Sequence, residues 1–571
     1  MQKVITAEQM REIDNLTTER FNIPSLLLME QAAAASAKAI AENFGGRVAG
    51  KSVLVLCGKG NNGGDGAALA RQLFNQGAEV DVVLLGSVEE TKDEARTNFE
   101  ILQSLLNNRT TLNEEGSYEF LNMTALKDYE GSLWFTECLT KKDWNKLTKE
   151  VFKDEPDILV DALFGTGLTR PLTGIYEDVL TFISFHTMGY TPRHTFVVSL
   201  DVPSGIQANV SNKIDSAVQA NLTITFTAPK PANVLPPASH YNGKLVVANI
   251  GSPAELIYQA ESKLFLTEPG DVNWWLYPTR YVAGSYKNSH GHALVIAGSR
   301  GMSGAAVLCG NAAMRAGAGL VTVATSKSAQ ADVAARTMPE VMTAILNETS
   351  IGAVSFSAKE HFEKLLEKAT VVAIGCGLNA SQEETRRFVR YVVENRKTPV
   401  VIDADGLNAL SPWPSRLKGS NLFPLILTPH KGEFSRLVGK NAKDVLEDRV
   451  SVASEFAVKH NLILVLKGER SLIASPDGNV IVNPTGNAGL GTAGAGDTLT
   501  GIITGFLAQS FALPESERPN ALETVVAALY ISGLAGDIAA REIGMRTMTA
   551  SDISHHLSAA IRELDPQGER P

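Results

Sequence analysis

Apolar and polar positions along the chain fall into a repeating order: a short apolar run, a small or polar break, then a stretch at helical spacing. The opening, MQKVITAEQMREIDNLTTER, carries its apolar residues at the spacing of one helix face. Pro24 interrupts it, and SLLLMEQAAAASAKAIAENF predicts a second helix, with Ala32–Ala35 as strong helix formers. KSVLVLC then reads as a strand, GKGNNGGDG as a loop and AALARQLFNQG as a helix, with EVDVVLLG as the next strand. Later strands are DILVDALFG (157–165), HTFVVSLDVPSG (194–205), NLTITFTA and KLVVANI. This alternation predicts a Rossmann-like, doubly wound α/β sheet. Between about 88 and 154 the chain turns polar and charged yet contains Trp134 and Trp144, so a helix plus a folded surface insertion is expected there.

A second alternation begins after residue 255. HALVIAGS, GLVTVAT, ATVVAIGCG, PVVIDADG, LILTPH and LILVLKG are short apolar strands, with helical patterns such as AAVLCGNAAMRAGAG between several of them. The seam is expected within GSPAELIYQAESKLFLTEPG (251–270), giving one α/β domain over 1–255 and a second over 256–571. Open parallel sheets bind ligands outside the carboxyl ends of their strands, so the chemistry is sought there.

Composition narrows the class. An apolar fraction of 44% and a charged fraction of 20% over 571 residues exclude a disordered, fibrous or disulfide-scaffold protein. Lys and Arg number 52 against 62 Asp and Glu, a formal charge of −10 that argues against a nucleic-acid partner. Cys57, Cys138, Cys309 and Cys376 lie far apart with no CxxC pair, as reduced thiols of a cytoplasmic protein would. The start has no apolar signal-peptide core, and no uninterrupted apolar run reaches about 18 residues, so no membrane association is expected.

Gly58-Lys-Gly60-Asn-Asn-Gly63 matches GxGxxG after a strand and before a helix, where backbone N–H groups and the helix dipole favour phosphate. A dinucleotide fold of the ordinary kind also wants an acid at the end of the second strand. That strand ends Leu84-Leu85-Gly86-Ser87, with Glu89 displaced, which disfavours an NAD dehydrogenase. A plain tight turn would not call for two asparagines and an aspartate among the glycines. Two further strand ends carry Asp161 and Asp201. Asn62, Asp161 and Ser204 offer oxygen ligands on separate loops, suited to a monovalent or other hard cation.

The phrases ITAEQMREID, IPSLLLMEQAA, GKGNNGGDG, VDALFGTGL and DVPSGI resemble the NAD(P)H-hydrate epimerase domain, over about residues 1–250 apart from the insertion. That family interconverts the R and S forms of hydrated nicotinamide nucleotides at C6. The resemblance implies substrate contacts at Asn61, Asn62, Gly63, Gly64 and Asp65, at Gly165, Thr166, Gly167, Leu168, Thr169, Arg170 and Pro171, and at Asp201. It implies potassium at Asn62, Asp161 and Ser204. Asp201 is the first choice as proton carrier.

In the second half, GAGD opens a helix in NAGLGTAGAGDTLT. Its backbone donors suit a developing anion, and Asp497 can take a proton from an attacking hydroxyl during phosphoryl transfer. No Gly-Lys-Ser/Thr follows, so this is not a Walker A loop. GAGD before a helix resembles ribokinase-type kinases, and GHALVIAGSRGMSGAAVL, MPEVM, DADGLNAL, LTPHKGEFSRL and VLKG in order resemble the ribokinase-like NAD(P)H-hydrate dehydratase family over about 265–560. The resemblance implies contacts to the hydrated nucleotide at Ala305, Gly377, His430 and Asp497. It implies adenine nucleotide at Lys467, Gly468, Glu469, Arg470, Ser471 and Gly496. Asp403 and Asp405 read equally as a turn and helix cap and stay off the catalytic set.

The whole chain therefore resembles the bifunctional nicotinamide-nucleotide repair enzymes: R and S hydrates of NADH and NADPH would be interconverted by one half and the S form dehydrated by the other. The expected co-substrate is ADP or ATP with Mg2+, and the fused layout leans towards ADP. A homo-oligomer is expected. The alternative is a small-molecule ribokinase-like kinase fused to a nucleotide-binding domain, which would release a stable phosphorylated product.

Overall fold

The computed structural model describes residues 1–108, 123–128, 131–152, 154–187, 194–211, 216–441, 445 and 447–565. The chain divides into two compact units, Lys3–Ser262 and Lys263–Pro571, with Met1–Gln2 counted in the second. The division falls after Ser262, so the helix Ala254–Gln259 belongs with the first unit.

The first unit is built on an eight-stranded sheet in the order Met123–Asp128, Gly131–Glu137, Glu79–Leu84, Ser52–Cys57, Ile158–Ala162, Phe196–Leu200, Leu222–Phe226, Lys244–Ala248. Every pairing is parallel except that of Met123–Asp128 with Gly131–Glu137. The central strands SVLVLC and ILVDA are buried along almost their whole length, the mark of a sheet covered on both faces. The first helix, Ala7–Phe21, opens on a capping box: Thr6 Oγ1 accepts from Gln9 N while Gln9 Oε1 accepts from Thr6 N.

The helix expected in 88–154 is present, but the described residues of that stretch are not a surface insertion. Gly131–Glu137 pairs in register with Glu79–Leu84, and Phe99, Leu102 and Leu106 of the helix Asp93–Asn108 are buried in the main core. Trp144 is buried against Phe182. The polar composition misled because helix and strand each bury one face and leave the other to solvent. Residues 109–122 of this stretch lie outside the described residues.

The second unit's sheet runs in the order Leu264–Leu266, Val480–Val482, Leu472–Ala474, Ile463–Leu466, Leu425–Leu427, Val400–Ile402, Val371–Ile374, His292–Ile296, Leu320–Ser326, Met342–Leu346. It is parallel apart from the two antiparallel pairings of Leu472–Ala474. Two helices, Ser303–Arg315 and Ala495–Ala512, pack backbone to backbone. A Cβ on Gly501 would lie 2.2 Å from Cys309 O, and one on Gly505 would lie 2.6 Å from Ala313 O. Small residues four apart on both helices permit this approach, and it fixes the first turn of Ala495–Ala512 over the strand ends. Helix Ala521–Ile543 is long and apolar enough to cross a membrane but is mostly buried in this core, where Trp275 also stacks on Phe506.

Candidate active sites

In the first unit the strand ends open into a cavity of about 600 Å³. Asn61, Asn62, Asp65, Gly165, Thr166, Gly167 and Asp201 line it. Gly63 and Gly64 do not, nor do Leu168, Thr169, Arg170 and Pro171. Much of the glycine loop serves packing: a Cβ on Gly58 would meet Leu163 O at 2.0 Å, one on Gly63 would meet Gly58 O at 1.8 Å, and one on Gly64 would meet Ala95 Cα at 2.7 Å. Gly60 has open space beside it. No acid awaits a ribose at Gly86, since Glu90 beside it pairs with Lys59 at 3.4 Å.

Asp201 sits just past Phe196–Leu200 with φ +65°, a left-handed conformation uncommon for a non-glycine residue and a sign of local strain. Its Oδ1 accepts from Lys230 Nζ at 2.6 Å and Thr225 Oγ1 at 3.1 Å, and its Oδ2 from Thr166 N at 3.2 Å. Lys230 is 1% exposed and spends its other two hydrogens on Thr225 Oγ1 and Phe226 O. A buried ammonium has been placed against the candidate proton carrier. Sequence reasoning missed Lys230; the signal was a single charge inside the small, apolar run FTAPKPANV after a strand.

Asp161 and Ser204 are buried and do not line the cavity. The Asp161 carboxylate accepts from Ser199 Oγ at 2.8 Å, from Ser204 N at 2.9 Å and from Ser204 Oγ at 2.6 Å. Burial raises its pKa above the ordinary carboxylate value, against the opposing pull of those hydrogen bonds. Asn62 differs, because both atoms of its buried amide lack a hydrogen-bond partner. Its Oδ1 lies near Gly165, 3.4 Å from where a Cβ there would stand. An orphan amide oxygen, a carboxylate and a hydroxyl fit a large, hard monovalent cation in donor chemistry.

In the second unit, Gly494 (φ +84°) caps the helix Ala495–Ala512, putting Gly496 and Asp497 in its first turn. Asp403, at the cap position of Ala404–Ala409, makes no capping hydrogen bond. Its Oδ1 accepts from Lys467 Nζ at 2.7 Å and its Oδ2 from Thr500 Oγ1 at 2.7 Å. The sequence leaves a cap open as a reading of Asp403; its side chain instead ties Lys467 to the Gly496 turn, where a Cβ would lie 3.2 Å from Nζ. Burial lowers the Lys467 pKa, but the charge and hydrogen bond of Asp403 outweigh it and leave it raised. Asp497 has no lysine hydrogen-bonded to it among the described residues, and burial raises its pKa despite a hydrogen bond from the Cys376 thiol.

The remaining predicted residues lie on other loops of the second unit. Gly377 has φ +63° and would bring a Cβ within 2.9 Å of Ala305 Cβ. Asp405 Oδ2 accepts from Asn379 N at 2.9 Å and so holds the loop after Gly377. His430 caps the helix Lys431–Val438, its Nδ1 accepting from Gly432 N and Glu433 N, and a bridge to Lys467 joins their backbones. Gly468, Glu469, Arg470 and Ser471 form the turn between Ile463–Leu466 and Leu472–Ala474, with Arg470 at φ +51°.

Two α/β units, each with a lysine-bound aspartate beyond its strand ends, give this enzyme two separate candidate centres. The chain belongs to the bifunctional NAD(P)H-hydrate repair enzyme family. Residues 293–559 match the NAD(P)H-hydrate dehydratase family and residues 25–232 the YjeF-related protein N-terminus. The bifunctional NAD(P)H-hydrate repair enzyme of Moorella thermoacetica is 37% identical over 99% of this chain and 98% of its own length. That of Escherichia coli K12 is 31% identical over 89% and 84%. Among solved structures, ADP/ATP-dependent NAD(P)H-hydrate dehydratase from Bacillus subtilis, co-crystallized with ATP/Mg2+, is 29% identical and covers 53% of this chain and 99% of its own, with TM-score 0.44.

Proposed function

We propose that the first unit interconverts the R and S hydrates of NADH and NADPH at C6, and that the second dehydrates the S hydrate with an adenine nucleotide as phosphoryl donor. The observation that carries the second activity is Asp497: a half-buried carboxyl of raised pKa at a helix start, with its neighbouring lysine engaged elsewhere. Asp497 takes the proton of the C6 hydroxyl as that oxygen attacks the terminal phosphorus. The N–H groups of the Gly494–Gly496 turn and Lys467 receive the phosphoryl charge. Phosphorylation turns a poor leaving group into a good one. The ring nitrogen's electron pair then expels phosphate, and loss of the C5 proton forms the double bond. His430, whose Nδ1 is spent on its helix, offers only Nε2 to substrate.

In the first unit Asp201 serves as proton carrier, with Asn61, Asn62, Asp65 and the Gly165–Gly167 loop around the substrate. Potassium at Asn62, Asp161 and Ser204 would supply positive charge beneath that loop; the orphan Asn62 amide supports this. Among the described residues no group of three or more His, Cys, Asp or Glu could hold a metal, which suits Mg2+ arriving on nucleotide phosphates. The four cysteines are free and buried, as reduced thiols of a cytoplasmic enzyme would be. Self-association and a preference for ADP over ATP belong to the same reading.

The test is one incubation of the full chain with mixed R and S hydrates and ADP or ATP, following reduced nicotinamide by absorbance. Complete conversion is expected. A stable phosphorylated product in place of reduced nicotinamide would overturn the dehydratase reading.

A further inference from the structure

The first unit's cavity holds more titratable chemistry than one proton carrier needs. Asp14, on the helix Ala7–Phe21, lines it together with Asp201 and Lys230. Met10, Ile13 and Thr17 form that helix's buried stripe, and Asp14 stands at its edge, four residues after Met10. Its Oδ1 is buried and has no hydrogen-bond partner. The carboxyl caps no helix and forms no ion pair among the described residues. Asp201, by contrast, has a partner on both oxygens.

Inversion at C6 has a matching requirement. The carbon bears both a hydroxyl and the ring nitrogen, so the C6–O bond breaks with the nitrogen's electron pair once the oxygen is protonated. Water must then add from the opposite face and lose a proton. Two carriers are needed, one donating while the other accepts. We propose that Asp14 is the second proton carrier of the epimerase site, working opposite Asp201; this rests on the epimerase reading of the first unit. Asp14 gives its proton to the leaving hydroxyl, which departs as water. A water molecule forms the new C6–O bond and passes its proton to Asp201. The reverse reaction exchanges the two roles, and exchange with solvent resets them.

The electrostatic setting of Asp14 suits a proton donor. Burial pushes the Asp14 carboxyl up to about 6, with Asp201 raising it and Lys230 opposing. Asp65 faces the same cavity from the helix Asn61–Asn75, Glu94 from Asp93–Asn108, and Arg11 from Asp14's own helix. Asp65 is the rival carrier, since burial raises its pKa as well.

The test uses the full chain, assaying R hydrate by chromatographic separation of the two forms against the spontaneous rate. Asp14→Asn should lower kcat about 100-fold or more, with KM within about threefold. The Asn side chain mimics the neutral carboxyl, so folding should be kept, and an unchanged urea-unfolding midpoint of the first unit checks it. In the parent, kcat/KM should fall as pH rises through about 6; Asp14→Asn should lose that limb while Asp65→Asn keeps it. Asp14→Ala gives a second variant, which formate should partly rescue. An Asp14→Asn enzyme within about threefold of parental kcat, or a limb that disappears in Asp65→Asn instead, overturns the proposal. A parent that leaves R hydrate at the spontaneous rate overturns the epimerase reading itself.

Discussion

Each half of the chain sets a lysine against a buried aspartate beyond the ends of its sheet, at 2.6 Å for Lys230–Asp201 and 2.7 Å for Lys467–Asp403. The two pairs do different work. In the first half the aspartate of the pair itself lines the cavity, and the lysine is spent entirely on fixed acceptors. In the second half Thr500 ties the aspartate's other oxygen, the lysine side chain keeps 19% exposure, and a separate carboxylate, Asp497, stands one turn away with no ion pair among the described residues. A reversible isomerisation needs a carrier that gains and loses its proton with little bias. A phosphoryl transfer needs a base beside a cation held for the phosphate. On the proposed mechanism the same pair of residue types is a working group in one site and an anchor in the other.

The largest expected effect breaks the two sites apart. Asp497→Asn should lower dehydration of S hydrate about 10³-fold or more and leave epimerisation at the parental rate. Asp201→Asn should do the reverse. Separate assays with R and S hydrate check both. Dehydration near the parental rate in Asp497→Asn would remove that residue from the mechanism.

Stability separates the lysines next. Lys230→Met leaves Asp201 buried without its cation and should cost the first unit about 3–5 kcal/mol. Lys467→Met should cost less, because Asp403 keeps Thr500 and the site is partly open to water, yet it should still suppress dehydration. Chemical unfolding of the full chain, followed at both units, checks the order. Equal losses would mean that the two pairs are energetically alike.

The sheets were legible in the sequence because their strands are continuous apolar runs, such as SVLVLC and VVAI, that only a doubly covered sheet produces. Gly131–Glu137 was not, since GSLWFTE mixes both faces of an edge-side strand, and LFL and VIV are too short to stand out. Site residues on glycine loops and strand ends announced themselves through motif; Lys230, Asp14 and the Asp403–Lys467 link did not. Their roles depend on side chains meeting across 29 and 64 residues of chain, and no local pattern encodes that.

Glycines sharpen the comparison at a smaller scale. In the second unit Gly501 and Gly505 exist for helix contact, so Gly501→Ala, 2.2 Å from a carbonyl, should destabilise that unit by about 1–3 kcal/mol and displace the Asp497 turn, slowing dehydration. Gly60 of the first unit has no atom within 4 Å of a built Cβ. Gly60→Ala should leave stability unchanged, and any change in epimerisation would then report contact with substrate. Thermal unfolding together with the two activity assays distinguishes these outcomes.

The smallest effect concerns the sheets themselves. The second unit's central strands, VVAI, VVI and LIL, are wholly buried and apolar, whereas the first sheet carries Asp81 between Leu54 and Trp134. Burial, with some help from Glu79, pushes the Asp81 carboxyl up to about 6. In the unfolded chain it titrates near 3.9. Between those values the folded form holds more protons, so its stability falls as pH rises through the window, and the cost is complete above about 6. Asp81→Asn should therefore stabilise the first unit by about 1–2 kcal/mol at pH 7.5, allowing for partial exposure, and by almost nothing at pH 4. The second unit should not respond at either pH. Urea unfolding at the two pH values decides it: a gain that persists at pH 4 would mean that the stabilisation comes from the amide's hydrogen bonds and not from relief of a buried charge.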